Sequence, residues 1–236
     1  MLRQFCMAVV LILSALLSTI AQQTLETGQQ VADFELNDFR GNAVALSDYK
    51  EAKVVVLVVL GTECPLAKLY GPRLQELDAR FGSEVAFIGL NANTQDSVTE
   101  IAAYARRHKI VFPILKDLGN KIVDVLGAVR TPEVFVLDSQ GRIRYQGRID
   151  DQYSTGVIRN SAKREFLADA VIDLLAGRNP RKSYIEPVGC HIGRVQTPIV
   201  DSKVTYSNQI SRILQQRCVN CHRDGEIAPF TLIDYD

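Results

Sequence analysis

The chain has 236 residues, of which 47% are hydrophobic and 23% are charged. Its 27 basic and 27 acidic residues balance, which argues against nucleic acid or an anionic membrane surface as a partner. A chain of this length and hydrophobic content can bury one substantial core.

The N-terminal stretch is typical of a secretory signal peptide. Arg3 supplies a positive charge, an apolar run follows over residues 5–17, and small residues surround Ala21. We predict that residues 1–21 are removed and that the mature chain is periplasmic or extracellular, with no membrane association after cleavage. The alternative is a membrane anchor, but the run is shorter than the ~20 residues that a spanning helix needs. Export to an oxidising compartment permits both disulfides and c-type haem.

The first elements of the mature chain can be predicted from periodicity and turn residues. Alternation over residues 31–36 and 43–46, around a turn at Gly41, predicts a short strand pair. The continuous β-branched run at 53–60 predicts a central strand that is covered on both faces. Pro65 then suits the first turn of a helix, because that position needs no backbone N–H.

Strands and helices continue to alternate along the chain. Ser97 and Glu100 form a capping-box pattern that opens a helix ending near His108. The other predicted elements are strands at 85–90 and 112–115, a short helix at 120–126, a hairpin of 134–137 with 142–146, and helices at 162–176 and 207–216. A high content of Pro, Gly and polar residues predicts a linker over 179–205.

This order of elements predicts an α/β sandwich with a central mixed sheet. With Cys64-Pro65 after the central strand and Thr131-Pro132 before a later one, the sequence resembles the thioredoxin fold. More narrowly, it resembles the redoxin branch that includes alkyl hydroperoxide reductases and thiol-specific antioxidant proteins. We assign residues 28–178 to this thioredoxin-like redoxin domain.

Cys64 is the predicted reactive thiol of this domain. It lies between a strand and a helix, and the positive end of the helix dipole favours a thiolate there. The alternative is a buried structural cysteine. The resemblance implies that Pro132 follows a cis peptide bond and packs beside the sulfur. Arg130 is placed to stabilise a thiolate or orient a peroxide, or else is a solvated loop residue.

Two departures from the family patterns restrict the chemistry of Cys64. The thioredoxin Cys-x-x-Cys pattern is absent, because Ala67 occupies the second cysteine position. The peroxiredoxin Thr-x-x-Cys pattern is absent as well, because Gly61 stands at the threonine position and Thr62 comes one residue late. Cys64 therefore needs a partner thiol from elsewhere.

Cys190 is the candidate partner thiol. It could resolve an intermediate formed on Cys64, form a static bridge with Cys64, remain unpaired, or pair with another protein. The neighbouring His191 adds the less favoured possibility of a copper site, as in copper-handling thioredoxin-like proteins.

The C-terminal region carries the Cys-x-x-Cys-His pattern of c-type haem attachment. Cys218 and Cys221 would form the thioethers, and His222 would ligate the haem iron. We read residues 206–236 as the start of a c-type cytochrome domain that is cut short. No methionine follows Met7, so the common distal ligand is missing, and we expect covalent haem in a longer intact protein. The alternative is a local disulfide between the two cysteines.

Together these features predict an exported thiol oxidoreductase of the thioredoxin/peroxiredoxin type. Cys64 would act on a thiol, disulfide or peroxide substrate, with Arg130, Pro132 and Cys190 in its site and no cofactor in the redoxin domain. A c-type haem segment would pass electrons to or from a partner protein. The alternative is a non-catalytic redoxin module that binds or delivers electrons or copper within a larger multidomain haem protein.

Overall fold

The computed structural model of the chain describes residues 25–154, 156–195, 199–228 and 230–233. The predicted signal peptide lies outside these described residues. Within them, no helix is long and apolar enough to cross a membrane. The chain divides into two compact units, Met1–Val195 and Gln196–Asp236.

The regular elements of the chain are short strands and helices that alternate. The strands are β1 (Glu35–Asn37), β2 (Ala43–Ala45), β3 (Val54–Val59), β4 (Val85–Asn91), β5 (Ile114–Lys116), β6 (Arg130–Thr131), β7 (Glu133–Asp138), β8 (Ile143–Gly147), β9 (Tyr153–Ser154), β10 (Val157–Ile158), β11 (Tyr184–Ile185) and β12 (Cys190–His191). The α-helices are α1 (Pro65–Phe81), α2 (Val98–His108), α3 (Lys121–Leu126), α4 (Phe166–Leu175) and α5 (Ser211–Arg217). A π-helical turn, Tyr206–Ile210, leads into α5.

The first unit is built on a six-stranded sheet with the order β11-β8-β7-β3-β4-β5. Strands β3, β4 and β5 run parallel, whereas β7 runs antiparallel to both β3 and β8. The predicted mixed sheet is therefore confirmed. The predicted strand pair is confirmed as well, since β1 pairs with β2 in antiparallel register.

Strand β3 is buried on both faces, as its β-branched sequence predicts. Val54, Val56 and Val58 belong to one apolar cluster, which includes residues of α1, α2 and α4. The alternate residues of β3 belong to a second cluster, which includes residues of α3. Because both of its faces are covered, β3 is held at the centre of the sheet. The position of β3 determines the position of the loop that follows it, which contains Cys64.

Helix α2 begins as the sequence predicts, whereas α4 begins later. The Ser97 hydroxyl accepts from the Glu100 N–H, and the Glu100 carboxylate accepts from the Ser97 N–H at 2.6 Å, which confirms the capping box. Helix α4 was predicted from residue 162 but starts at Phe166. The carboxylate of Asp151 accepts from the N–H groups of residues 163 and 164, and these bonds hold that backbone outside the helix.

The structure differs from the predicted linker over residues 179–205. Strand β11 extends the central sheet by pairing with β8, and β12 pairs with β6 in antiparallel register. Ile192 is buried in the second apolar cluster. Pairing of a two-residue strand uses backbone groups alone, so this segment shows no hydrophobic periodicity from which it could be predicted.

The buried bond between Tyr70 and Asp150 supplies a test of the packing beneath α1. The Tyr70 hydroxyl donates to Asp150 Oδ1 at 2.6 Å, and Asp150 is 1% exposed. We expect Tyr70→Phe to lower the free energy of unfolding by about 1–3 kcal/mol, because the buried carboxylate loses a donor. Chemical denaturation measures the change. Tyr153→Phe is the matched control, since within the described residues its hydroxyl makes no hydrogen bond, and an equal loss in both variants would contradict the prediction.

Candidate active site

Cys64 lies at the junction of the central strand β3 and helix α1. It is the N-cap residue of α1 in extended conformation, and Pro65 occupies the first helical turn. Its side chain is 4% exposed, and its thiol donates to the Thr131 carbonyl oxygen at 2.8 Å. The sulfur therefore lies at the positive end of the helix dipole and against the loop that contains Thr131.

That loop contains the peptide bond between Thr131 and Pro132, which is cis. Glu133, which directly follows, is fully buried and fixes the loop from beneath. Its Oε2 accepts from the N–H groups of Val129 and Arg130 at 2.8 and 3.0 Å. Glu133 is not among the site residues predicted from the sequence, although a carboxylate directly after the expected cis-proline is a signal that could have identified it.

Cys190 lies next to Cys64 across this loop. In the pairing of β12 with β6, Cys190 lies opposite Thr131 and His191 opposite Arg130. Partial burial, a hydrogen bond with the Cys64 side chain and the Cys64 charge raise the pKa of Cys190 to about 11, while Arg130 opposes this shift. Both thiols are free. The structure thus brings Cys64, Cys190, Arg130 and Pro132, all candidate residues from the sequence, into one site.

We call residues 189–194 the strap, because this segment crosses the loop and is attached at both ends. At its start, Arg130 Nη1 donates to the Gly189 carbonyl oxygen at 3.2 Å. At its end, Arg194 Nε donates to Asp124 Oδ1 at 2.9 Å, and Nη2 donates to the Ala128 carbonyl oxygen at 2.8 Å. Arg130 therefore holds the strap through its guanidinium rather than standing free in solvent.

A buried polar network connects the strap to the loop that precedes Cys64. Asp96 Oδ2 accepts from the Thr62 N–H at 2.8 Å and from Asn93 Nδ2 at 3.1 Å. Asn93 Oδ1 in turn accepts from the Gly193 N–H at 2.8 Å. Lys116 supports the network from below, and burial lowers the pKa of its ammonium group. These residues are not among those predicted from the sequence, although polar side chains after a buried strand at the carboxyl edge of a sheet are a known signal.

Gly61 marks a position where no side chain fits. A Cβ there would lie 2.5 Å from Asn93 Nδ2 and 3.1 Å from the side chain of Thr131. The threonine of the peroxiredoxin pattern therefore cannot be accommodated at this position without rearranging the site.

The described residues do not provide a set of ligands for the copper site that was considered as an alternative. Among the described residues, no three His, Cys, Asp or Glu side chains are grouped so that they could hold a metal ion. Successive residues of a strand point to opposite faces, so His191 is directed away from the side on which Cys190 meets Cys64.

The Cys-x-x-Cys-His motif lies in the second unit. Helix α5 ends at Arg217 with Cys218 as its C-cap residue, and the thiols of Cys218 and Cys221 are free. His222 Nδ1 lies 3.1 Å from the Phe230 carbonyl oxygen, and the two rings pack with centroids 4.4 Å apart. Because a carbonyl oxygen only accepts, Nδ1 carries the hydrogen and the Nε2 lone pair is left for a metal. These residues therefore fit the requirements of covalent haem attachment.

A mixed sheet with a cis-proline loop beside a helix-capping cysteine defines a thioredoxin-like redoxin. The chain belongs to the AhpC/TSA family, whose family model matches residues 27–146. It is 26% identical over 123 residues to the thiol-disulfide oxidoreductase ResA of Bacillus thuringiensis subsp. konkukian, which covers 52% of this chain and 69% of that protein.

Solved structures show the same fold. An uncharacterized conserved protein from Geobacillus kaustophilus is 24% identical with a TM-score of 0.68, covering 75% of this chain and 96% of that one. A putative thiol:disulfide interchange protein DsbE from Chlorobium tepidum is 17% identical with a TM-score of 0.50, covering 65% and 98%.

The close approach of the strap to the loop can be tested at Gly189. Its φ is +147°, and a Cβ there would overlap the Thr131 carbonyl oxygen. We expect Gly189→Ala to separate Cys190 from Cys64 and to slow disulfide formation between them at least about tenfold, given a strain of roughly 1–3 kcal/mol. The measurement is the rate at which the Cys64 and Cys190 thiols disappear when the protein is incubated with glutathione disulfide as the oxidant.

Gly193→Ala is the control for this variant. The nearest atoms to a Cβ at residue 193 would be those at the end of the Gln95 side chain, which can rotate away. The rate should therefore stay close to that of the unaltered chain, and equal slowing by the two substitutions would contradict the positioning role of Gly189.

Proposed function

We propose that this chain is a thiol-disulfide oxidoreductase in which Cys64 and Cys190 form the redox pair. The observation that carries the proposal is the position of Cys190 directly beside Cys64, on a strand that pairs with the cis-proline loop. The position of Ala67 in helix α1 leaves Cys64 no thiol partner within its own helix. The strap supplies the missing thiol from the other end of the domain.

The reaction exchanges two electrons and two protons between the pair and a partner. In one direction, the two thiols become a Cys64–Cys190 disulfide while the disulfide of a partner is reduced to two thiols. In the other direction, a partner dithiol is oxidised and the pair is reduced. The predicted export to an oxidising compartment suits a pair that must cycle between both states.

Disulfide exchange is favoured over peroxide reduction by the surroundings of Gly61. The peroxiredoxin pattern places a threonine hydroxyl at that position, and here Asn93 and Thr131 fill the space. The similarity to ResA, which is named a thiol-disulfide oxidoreductase, also supports disulfide exchange.

The redox pair is tested by single substitutions of its cysteines. Oxidised protein should yield, after digestion and mass spectrometry, a peptide pair joined between Cys64 and Cys190. Cys64→Ser and Cys190→Ser should each reduce catalysis of insulin disulfide reduction to the uncatalysed background, because neither variant can close the disulfide. Cys221→Ser is the matched control and should retain both the Cys64–Cys190 linkage and the activity.

Two outcomes would contradict this function. One is a Cys64→Ser variant with full activity, which would show that the exchange does not depend on Cys64. The other is consumption of hydrogen peroxide by the unaltered chain without any disulfide exchange.

We further propose that Cys218, Cys221 and His222 hold a covalent c-type haem. Support comes from the free thiols, from the Nδ1 bond of His222 to the Phe230 carbonyl and from the spacing of the motif. When bound, such a group supplies one-electron transfer. The role of the chain is to orient the His222 imidazole and to direct its Nε2 toward the metal.

The haem proposal is tested by expressing the chain with a c-type haem maturation system. We expect a pyridine haemochrome spectrum of covalent haem in the unaltered chain and none in the Cys218→Ser, Cys221→Ser double variant. Cys190→Ser is the control and should keep its haem, because Cys190 is no part of the motif. Absence of covalent haem from both the unaltered chain and the control would contradict the proposal.

A further inference from the structure

The two sulfurs of the proposed redox pair differ sharply in how they can be reached. Cys64 belongs to the apolar cluster beneath α1 and is only 4% exposed. Cys190 is exposed, on a two-residue strand at the surface of the first unit. A protein partner can therefore bring its own sulfur to Cys190, whereas Cys64 lies behind the loop and the strap.

The two sulfurs also differ as leaving groups. Thiol-disulfide exchange is faster when the sulfur that departs is the better stabilised thiolate. Cys64 caps a 17-residue helix, so its departing thiolate would meet free N–H groups and the positive end of the helix dipole. Cys190 lies on a strand of two residues rather than at a helix N-terminus, and partial burial and the adjacent Cys64 disfavour its thiolate more than the Arg130 charge favours it.

The attachments of the strap keep Cys190 in place for this exchange. The Gly189 carbonyl is held by Arg130, and the Gly193 N–H is held by Asn93. These bonds use the backbone of the strap on both sides of Cys190 and leave its exposed side chain free to meet a partner. The positive charge of Arg130 beside Cys190 further suits the approach of a partner thiolate.

We propose that protein partners exchange with this redoxin at Cys190, and that Cys64 is the internal thiol of the pair. The inference rests on the proposed redox pair and reverses the expectation that Cys64 meets the substrate directly. The partner it fits is a protein that carries a dithiol.

The exchange proceeds in two steps. A partner thiolate attacks the Cys190 sulfur of the oxidised pair, the Cys64–Cys190 bond breaks, and the electron pair leaves on the Cys64 thiolate. The second thiol of the partner then loses its proton and attacks the partner sulfur bound to Cys190. The mixed disulfide breaks, Cys190 leaves as a thiolate that takes up a proton, and the partner departs oxidised. Two electrons have passed from the partner dithiol to the pair.

The test traps the first step with the full chain. The chain is oxidised and the Cys64–Cys190 linkage is verified by peptide mapping before any probe is added. The probe is a thioredoxin variant with a single active-site cysteine, which cannot complete the second step. The mixture is quenched in acid at early times, and mass spectrometry shows which cysteine of the chain carries the mixed disulfide.

We expect the probe on the peptide that contains Cys190, with Cys64 recovered as a free thiol, in at least about tenfold excess over the opposite product. A probe bound mainly to Cys64, or equally to both cysteines, would overturn the inference while leaving the redox pair intact. Absence of the linkage in the oxidised starting protein would overturn both, and the mapping before probe addition identifies that case separately.

Discussion

The antiparallel pairing of Cys190 and His191 with Thr131 and Arg130 is the contact on which the thiol site depends. It joins the strap to the cis-proline loop through backbone hydrogen bonds, and it places the second thiol beside Cys64. A redoxin with Ala67 in its first helix has no local partner for its reactive cysteine. In the proposed redox pair a distant segment provides that partner, and two hydrogen bonds hold the backbone on either side of Cys190.

Much of the fold could be predicted because its signals are local. The run of β3 and the capping box of α2 each lie within a few consecutive residues, and both are confirmed by the structure. The predicted linker includes both β11 and the strap, because strands of two residues are too short to show periodicity and their partner strands are far along the chain. Cys190 can nevertheless be predicted as the partner thiol. If the haem motif uses Cys218 and Cys221, Cys64 and Cys190 are the two cysteines that remain after removal of the predicted signal peptide.

The residues that escaped prediction act only through tertiary contacts. Glu133 reads as one more strand residue, yet its buried carboxylate supports the loop of the cis-proline. Asp96 and Asn93 read as polar loop residues, yet they link the loop before Cys64 to the strap. Gly61 reads as a departure from a pattern, and only the structure shows that its neighbours leave no space for a side chain.

The distance between Cys64 and Cys190 along the sequence has a thermodynamic consequence. More than half of the chain separates them, so their bond would close a very long loop in the unfolded protein. Such a crosslink removes a large amount of conformational entropy from the unfolded chain. Because folding and oxidation form a closed cycle, whatever free energy the bond adds to the folded state must also appear as a more negative reduction potential. Any rearrangement that loosens the strap would then make the pair a stronger oxidant.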